Sequence, residues 1–337
     1  MKKAIFLAIS LFFALCLLFL FFYYTLFYEN VKKESFIFIK KNSSYQQVLD
    51  SLIEKEVLTN IRTFKLAAKI KKYPTHIRHG NYLIKKGEGN LSIIRKLMRG
   101  QHYPVKFTFN NIRTKEGFVK KLENKFLFTA DEFLALLNDS TFLAGYDLTV
   151  DNSVSFLIPN TYEIYYDISA TEFFDKMYSY YQAFWNSSRL KLASEIGLSP
   201  TEVVTLASIV EEENFRENEK AIIAGLYINR LQKGMKLQAD PTIKFALGDF
   251  TLQRILHEHL TVESPYNTYL YEGLPPGPIR IPAISTVDSV LHYRKHNFLY
   301  MCAKEDFSGS HHFTANANEH YFNAARYQRA LKKKLKK

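Results

Sequence analysis

Ser199-Pro200-Thr201-Glu202-Val203-Val204-Thr205-Leu206-Ala207-Ser208-Ile209-Val210-Glu211-Glu212-Glu213-Asn214 is the stretch from which both fold and chemistry can be worked out. Ser199 suits an N-cap, Pro200 the first helical position, and Glu202 completes a capping box. Val203, Leu206, Ala207 and Val210 recur at i, i+3, i+4 and i+7, one apolar stripe on a helix. At about 100° per residue, Glu212 falls opposite the stripe, towards water, while Glu211 and Glu213 fall on its two flanks at the edge of the core. A carboxyl at an apolar edge with like charges beside it has its charged form disfavoured, so its pKa rises. A raised pKa suits a general acid that must be protonated near neutral pH. The geometry nominates Glu211 and Glu213 and does not choose between them. A solvated acidic helix end is the plainer alternative.

Downstream, a second helix starts near Glu217 and runs to Lys233, with Ile222, Leu226 and Leu231 inward and Gly234 as its stop. Leu237-Gln238-Ala239-Asp240-Pro241-Thr242 follows, where Gln238 and Asp240 are polar groups suited to binding hydroxyls. The loops Ser264–Tyr269 and Gly273–Ile279 are rich in Pro and Gly and carry Tyr266 and Asn267. Aromatic faces and amides of this kind bind sugars. His257-Glu258-His259 and the pair His292/His296 have ligand-like spacing, but there is no His-Glu-x-x-His. His292 and His296 read as helix-surface residues, and neither a metal nor a cofactor is expected. The chain ends in a basic tail from Lys332 to Lys337.

Upstream, Phe36–Ile39 reads as a strand, Asn42-Ser43-Ser44 as a capping turn, and Val48, Leu49, Leu52 and Ile53 as a helical stripe. The pattern then repeats: a strand from Asn81 to Lys85, a turn at Gly87-Glu88-Gly89, and a helix with Ile93, Ile94, Leu97 and Met98 inward that stops at Gly100. A third strand runs from Val105 to Phe109, and residues 115–150 look helical. This small α+β module resembles LysM, a glycan-binding fold. Before it, Ala4 to Tyr28 carries no charge, is long enough to cross a hydrocarbon core of about 30 Å, and has Tyr23, Tyr24 and Tyr28 at interfacial positions. No small-x-small cleavage site follows, which favours an uncleaved anchor over a signal peptide. Lys2 and Lys3 before the span are balanced by Lys32 and Lys33 after it, so charge alone does not orient it.

Composition narrows the function classes. With 45 Lys+Arg against 33 Asp+Glu, the formal net charge of +12 favours a polyanionic partner such as acidic wall polymer or anionic lipid. No phosphate-cradling Gly-x-x-x-x-Gly-Lys run supports nucleic acid, and no nucleic-acid partner is expected. The two cysteines, Cys16 within the apolar run and Cys302 near the far end, make no disulfide framework.

Several motifs in order then match a known family. Leu206-Ala207-Ser208-Ile209-Val210-Glu211-Glu212-Glu213-Asn214, Tyr227-Ile228-Asn229-Arg230-Leu231, Leu237–Thr242, Tyr266–Tyr269, Gly273-Leu274-Pro275-Pro276-Gly277 and Phe298-Leu299-Tyr300, then His311, Phe313 and His320, resemble the YceG-like endolytic murein transglycosylases. The resemblance implies that Glu213 is the catalytic acid and that Glu211 supports it; Gln238, Asp240, Tyr266, Asn267 and His311 are the candidate substrate contacts. It implies cleavage of the MurNAc–GlcNAc bond of nascent peptidoglycan strands to 1,6-anhydro-MurNAc ends, with no cofactor. Two departures are visible: Asn160 where the Pro-Asp-Thr-Tyr loop of the family has a carboxylate, and Asn110-Asn111 for Glu-Gly after the third strand. The expected architecture is α+β: a short cytoplasmic end (1–3), a single transmembrane helix (4–28), a LysM-like α+β module (29–108), a mixed α+β catalytic domain with its glutamate on a helix (109–331), and the basic tail (332–337). The expected place is the inner membrane, single-pass, with the catalytic domain on the periplasmic side, peptidoglycan as substrate and peptidoglycan synthases as partners. The competing reading is a non-catalytic, membrane-anchored wall-binding or scaffold protein.

Overall fold

The computed structural model describes residues 2–214 and 216–335, and the chain divides into two compact units. Of the expected cytoplasmic end and basic tail, Met1, Lys336 and Lys337 lie outside the described residues.

The first unit comprises residues 2–107 with Asn124–Phe128 and Tyr162–Ser169. It opens with α1 (Lys2–Phe27), whose segment Ile5–Phe27 is 23 residues long with a mean hydropathy of 3.0 and none of its most apolar window buried in protein. At about 1.5 Å per residue this is enough to cross about 30 Å of hydrocarbon, so α1 fits a single-pass membrane anchor. A clamp of three asparagines joins its end to the rest of the unit. Asn90 donates through Nδ2 to the Thr25 carbonyl at 2.8 Å, and Asn30 donates to Asn90 Oδ1 at 2.7 Å and to the Asn60 carbonyl at 2.9 Å. Asn30 and Asn90 are buried, where an unmade hydrogen bond would be costly.

Two short strands, β1 (Ser35–Ile39) and β2 (Gly80–Ile84), pair antiparallel, with Ser35 opposite Ile84 and Ile39 opposite Gly80. Between them lie α2 (Tyr45–Glu54), capped by a Ser44/Gln47 capping box, and α3 (Ile61–Ile70), capped by the Asn60 side chain. α4 (Asn90–Arg99) follows β2 and ends at Gly100, whose φ of 71° takes the chain out of the helix. Ile37, Ile39, Tyr82 and Ile84 from the strands meet Leu49, Leu52, Phe64, Ile93 and Leu97 from the helices in one core. The regular strand–helix repeat read from the sequence is interrupted by α3, whose Phe64, Ala67 and Ala68 face inward. The order is therefore β-α-α-β-α. The third strand, β3 (Val105–Phe109), pairs with β4 (Asn160–Ile164). Its alternate phenylalanines are satisfied locally, Phe107 edge-on to Phe126 and Phe109 edge-on to Phe118.

The second unit is mainly helical. It contains α5 (Lys115–Leu122), α6 (Ala130–Asn138), α7 (Ser140–Ala144), α8 (Ala170–Phe184), α9 (Ser187–Ile196), α10 (Pro200–Glu213), α11 (Glu217–Gln232), α12 (Asp240–Leu247), α13 (Ile284–Leu291) and α14 (Ala317–Leu335). A small antiparallel pair, β5 (Tyr300–Ala303) and β6 (His311–Thr314), stands before α14. The quoted glutamate helix is α10, and its capping box forms: Glu202 N donates to Ser199 Oγ, and Ser199 N donates to Glu202 Oε2. Every residue from Val203 to Glu211 is buried, so α10 is covered on all sides, by α9, α11, α12 and α13, and not along one stripe. The Gly273–Ile279 loop reinforces it, Ile279 N donating to the buried Ser208 Oγ at 3.0 Å. Gly277 in that loop admits no side chain, since a Cβ would lie 2.1 Å from the Asp151 carbonyl oxygen.

The helix-surface reading of His292 and His296 is corrected here. α13 ends at Leu291, so His292 and His296 share no helix surface, and the His296 ring is hydrogen-bonded to the Ile222 carbonyl at 2.9 Å. His257, Glu258 and His259 form a 3-10 turn in which His259 Nδ1 accepts from Leu256 N. Lys332–Lys334 are exposed and continue α14. α11 approaches the 292–296 segment so closely that a Cβ on Gly225 would lie 2.4 Å from the Arg294 carbonyl oxygen. Gly225→Ala gains helix propensity of about 1 kcal/mol but incurs overpacking against backbone of about 1–3 kcal/mol. We expect a net loss of stability, read as a lower denaturant midpoint. A midpoint at or above wild type would contradict the close approach.

Candidate active site

The C-terminal end of α10 opens into a cavity of about 410 Å³ in the second unit. Glu213 lines it and is only partly exposed. From α11 come Tyr227 and Arg230, three residues apart and so on one helix face. Gln238 and Asp240 come from the turn into α12, with Tyr269 beside them, and Cys302, His311 and His320 line the β5/β6 side.

The polar groups are held in a defined order. Tyr227 donates its hydroxyl to Glu213 Oε1 at 2.6 Å. Tyr269 donates to Asp240 Oδ1 at 2.5 Å. The Arg230 guanidinium is tied to backbone, through Nε to the Leu299 carbonyl at 2.6 Å and through Nη1 to the Lys236 and Leu237 carbonyls at 3.0 and 2.9 Å. Nη1 also donates to Gln238 Oε1 at 3.2 Å. Gln238 itself sits at a φ of 50°, a left-handed turn locked by its N–H to the Thr268 carbonyl. His311 Nδ1 meets Glu219 Oε2 at 2.9 Å, and since a carboxylate only accepts, Nδ1 carries the proton.

These surroundings set the acidity of Glu213. Burial raises its pKa to about 7, and the Asp240 carboxylate adds to the rise. The Tyr227 hydroxyl, Lys244 and Arg230 act in the opposite direction and hold it there. The Tyr227 hydroxyl is pushed well up by burial and by Glu213, and Tyr269 by burial and by its bond to Asp240, so both phenols remain donors at neutral pH. His320 is pushed down by burial and by Arg230. A carboxyl that is half-protonated near neutrality, with a phenol fixed on one oxygen, can both donate and accept a proton.

Of the residues singled out from sequence, Glu213, Gln238, Asp240 and His311 meet in this cavity. Glu211 does not line it. Its carboxylate is buried against Arg280, 3.1 Å from Nη2, and accepts from Ala283 N at 2.7 Å and Thr286 Oγ1 at 2.6 Å. Glu212 does not face water as expected. Its side chain is 11% exposed, accepts a two-pronged bond from Arg113 at 3.0 and 3.0 Å, and pairs with Arg280 at 2.6 Å. Two arginines cover the side of α10 that the apolar periodicity left open. Asn111, at a φ of 50° that asparagine tolerates well, accepts from the same Arg280. Tyr266 and Asn267 are corrected as well. Asn267 is fully buried and spends its amide on the Leu260 and Val262 carbonyls and on Tyr269 N, while Tyr266 donates to the Asp151 carbonyl and rests against Phe245. Asn267 thereby holds the backbone of the turn that carries Tyr269. Asn160 is exposed and bonds the adjacent Thr161 N. Sequence reasoning quoted Tyr227, Arg230, Tyr269 and His320 within the matching motifs but gave none of them a place in the site. The three-residue spacing of Tyr227 and Arg230 was the available signal for two of them.

Most of the chain is similar to known proteins. The model of the YceG-like family matches residues 37–326. An endolytic murein transglycosylase of Bacillus subtilis is 28% identical over 312 residues, covering 87% of this chain and 85% of that protein. A Streptococcus pneumoniae protein of the same name is 27% identical over 328 residues, and there the chain spans 59% of the relative's length. The crystal structure of a yceG-like protein from Listeria monocytogenes superposes with a TM-score of 0.56 at 25% identity, covering 86% of this chain and 99% of that one.

The acidity of Glu213 has a consequence for stability. Its folded pKa, about 7, exceeds the ordinary value of 4.5, so the folded state holds the proton more tightly. Its contribution is fully present below about 4.5 and is lost as pH rises through about 7. Glu213→Gln removes this ionisation. The variant is expected to gain on the wild type by roughly 1–3 kcal/mol between pH 5 and pH 8. Denaturant midpoints at the two pH values check this, and a difference that does not change with pH contradicts a raised pKa.

Proposed function

The chain belongs to the YceG-like family, and on that footing we propose that it is a membrane-anchored peptidoglycan lytic transglycosylase with Glu213 as its acid and base. The observation that carries the reading is a carboxyl lining a polar cavity, its pKa raised to about 7 and one oxygen held by Tyr227, with Asp240 the other carboxyl in the lining. Protonated Glu213 gives its proton to the oxygen between N-acetylmuramic acid and N-acetylglucosamine, and the bond to the leaving sugar breaks. The resulting carboxylate then takes the proton of the muramoyl 6-hydroxyl, which closes on C1 to a 1,6-anhydro ring. No water enters, so one carboxyl serves both steps, in contrast to hydrolases that need a second. Gln238, Asp240 and His311 are the candidate contacts to sugar hydroxyls and amides, with Asp240 oriented by Tyr269. Glu211 supports the site at one remove, by fixing α10.

The names of the Bacillus and Streptococcus relatives support the endolytic mode and the murein substrate. α1 is the anchor, with the catalytic domain (109–331) on the outer side of the inner membrane beside synthases that supply nascent strands. The β-α-α-β core of the first unit supports reading residues 29–108 as a LysM-like module that binds glycan.

Two measurements test the reaction. Glu213→Gln is expected to lose a factor of about 10²–10⁴ in kcat, while wild type releases products with anhydro ends, one water lighter than hydrolytic ends in mass spectrometry. Reducing ends, or a fully active variant, would sink the assignment. The second is the pH dependence: kcat/KM should fall on the alkaline side with an apparent pKa near 7, as free Glu213 loses its proton. Tyr227→Phe removes the bond that stabilises the carboxylate, so that limb should move to higher pH. A limb that stays or moves down argues against the Tyr227–Glu213 pair.

A further inference from the structure

A second cavity, of about 310 Å³, lies in the first unit where α1 ends. Leu26 and Phe27, the last residues of the apolar helix, form one wall with Leu91, and Arg95 and Arg99 stand on the rim. The two arginines are one helical turn apart on α4, both are exposed, and neither makes a hydrogen bond or ion pair among the described residues. Lys96 between them is already committed, to Glu88 at 2.6 Å and the Leu83 carbonyl at 2.6 Å. Arg99 is well placed to complement the carbonyl end of α4, but Arg95 is a turn too early for that effect. The cavity therefore combines an apolar wall with two uncommitted guanidinium groups.

Its level is fixed by the clamp. Asn90 Nδ2 holds the Thr25 carbonyl, and Gly89 meets the chain so closely that a Cβ would lie 2.6 Å from the Phe27 carbonyl oxygen. The start of α4 is thus seated directly on the last turn of α1. With α1 as the anchor proposed above, on which this inference rests, Leu26 and Phe27 lie at the edge of the hydrocarbon and the rim of the cavity lies at headgroup depth. Arginine forks match phosphate oxygens, and basic side chains at this depth attract anionic lipid.

We propose that this cavity is a binding site for one anionic phospholipid, with Arg95 and Arg99 on the headgroup phosphate and Leu26, Phe27 and Leu91 against the glycerol and upper acyl region. The test uses the full chain in detergent, given equal amounts of phosphatidylglycerol and phosphatidylcholine, with bound lipid counted by native mass spectrometry. Wild type is expected to retain phosphatidylglycerol over phosphatidylcholine by about tenfold or more, and Arg95→Gln/Arg99→Gln to bring the two near parity. Lys32→Gln/Lys33→Gln, which removes two nearby charges outside the cavity, should keep the preference. Excess inorganic phosphate should leave the lipid bound. No preference in wild type, an unchanged preference in the arginine variant, an equal loss in the lysine variant, or displacement by inorganic phosphate would each overturn the site. Chain that is extracted without detergent would instead remove the anchor reading beneath it. The arginine variant should cut glycan in detergent as wild type does, since neither residue belongs to the catalytic unit.

Discussion

The Arg280 guanidinium sits between Glu211 and Glu212 beneath the end of α10, its side chain 3% exposed, and the candidate active site depends on that placement. Buried ions cost several kcal/mol each to remove from water, and the cost is met only when every charge has partners. Here Glu211 has Arg280, a backbone N–H and the Thr286 hydroxyl, and Glu212 has Arg280 and the fork of Arg113. Lys220 extends the chain of contacts by donating to Thr286 Oγ1 and Glu217. Two of three adjacent carboxylates are thereby used to lock the helix in place. The third, Glu213, is left at the cavity with no cation bonded to it; burial raises its proton affinity, and the bond from the neutral Tyr227 phenol offsets part of that rise.

Much of this was legible in the sequence because it is local. The N-cap at Ser199, the helices to either side of Asn214, the strands at Phe36 and Asn81 and the apolar span all follow from periodicity and capping within a few residues. What was not legible comes from distant chain. Glu212 was assigned to water because one apolar stripe implies one buried face, yet Arg113 lies 99 residues earlier and Arg280 68 residues later. Asn267 was assigned to substrate because asparagine in a Gly/Pro-rich region reads as an exposed hydrogen-bonding group. The loop closes on itself and consumes all of that capacity internally. Helix geometry left Glu211 and Glu213 tied. Motif order separated them on paper; in the structure Glu211 is buried against Arg280, whereas Glu213 lines the cavity.

Tyrosine is used in the cavity in a consistent way. Tyr227 on Glu213 and Tyr269 on Asp240 each place a strong donor on a carboxylate without placing a cation there. A lysine or arginine in either position would hold the carboxylate ionised, whereas a phenol with a raised pKa orients the oxygen and stays neutral. Arg230, which also lines the cavity, is tied to the Leu299, Lys236 and Leu237 carbonyls and to Gln238, and is not hydrogen-bonded to Glu213.

The three-asparagine clamp between α1 and the first unit has a mechanical consequence. A flexible tether would isolate the unit from the orientation of its anchor. Buried bonds from Asn90 to Thr25 and from Asn30 to Asn60 and Asn90 leave no such slack. Membrane helices adjust to thicker or thinner bilayers largely by tilting. With α1 as the proposed anchor, a tilt of α1 would be passed on as a rotation of the whole β-α-α-β unit, which would make lipid thickness an input to how that unit is presented.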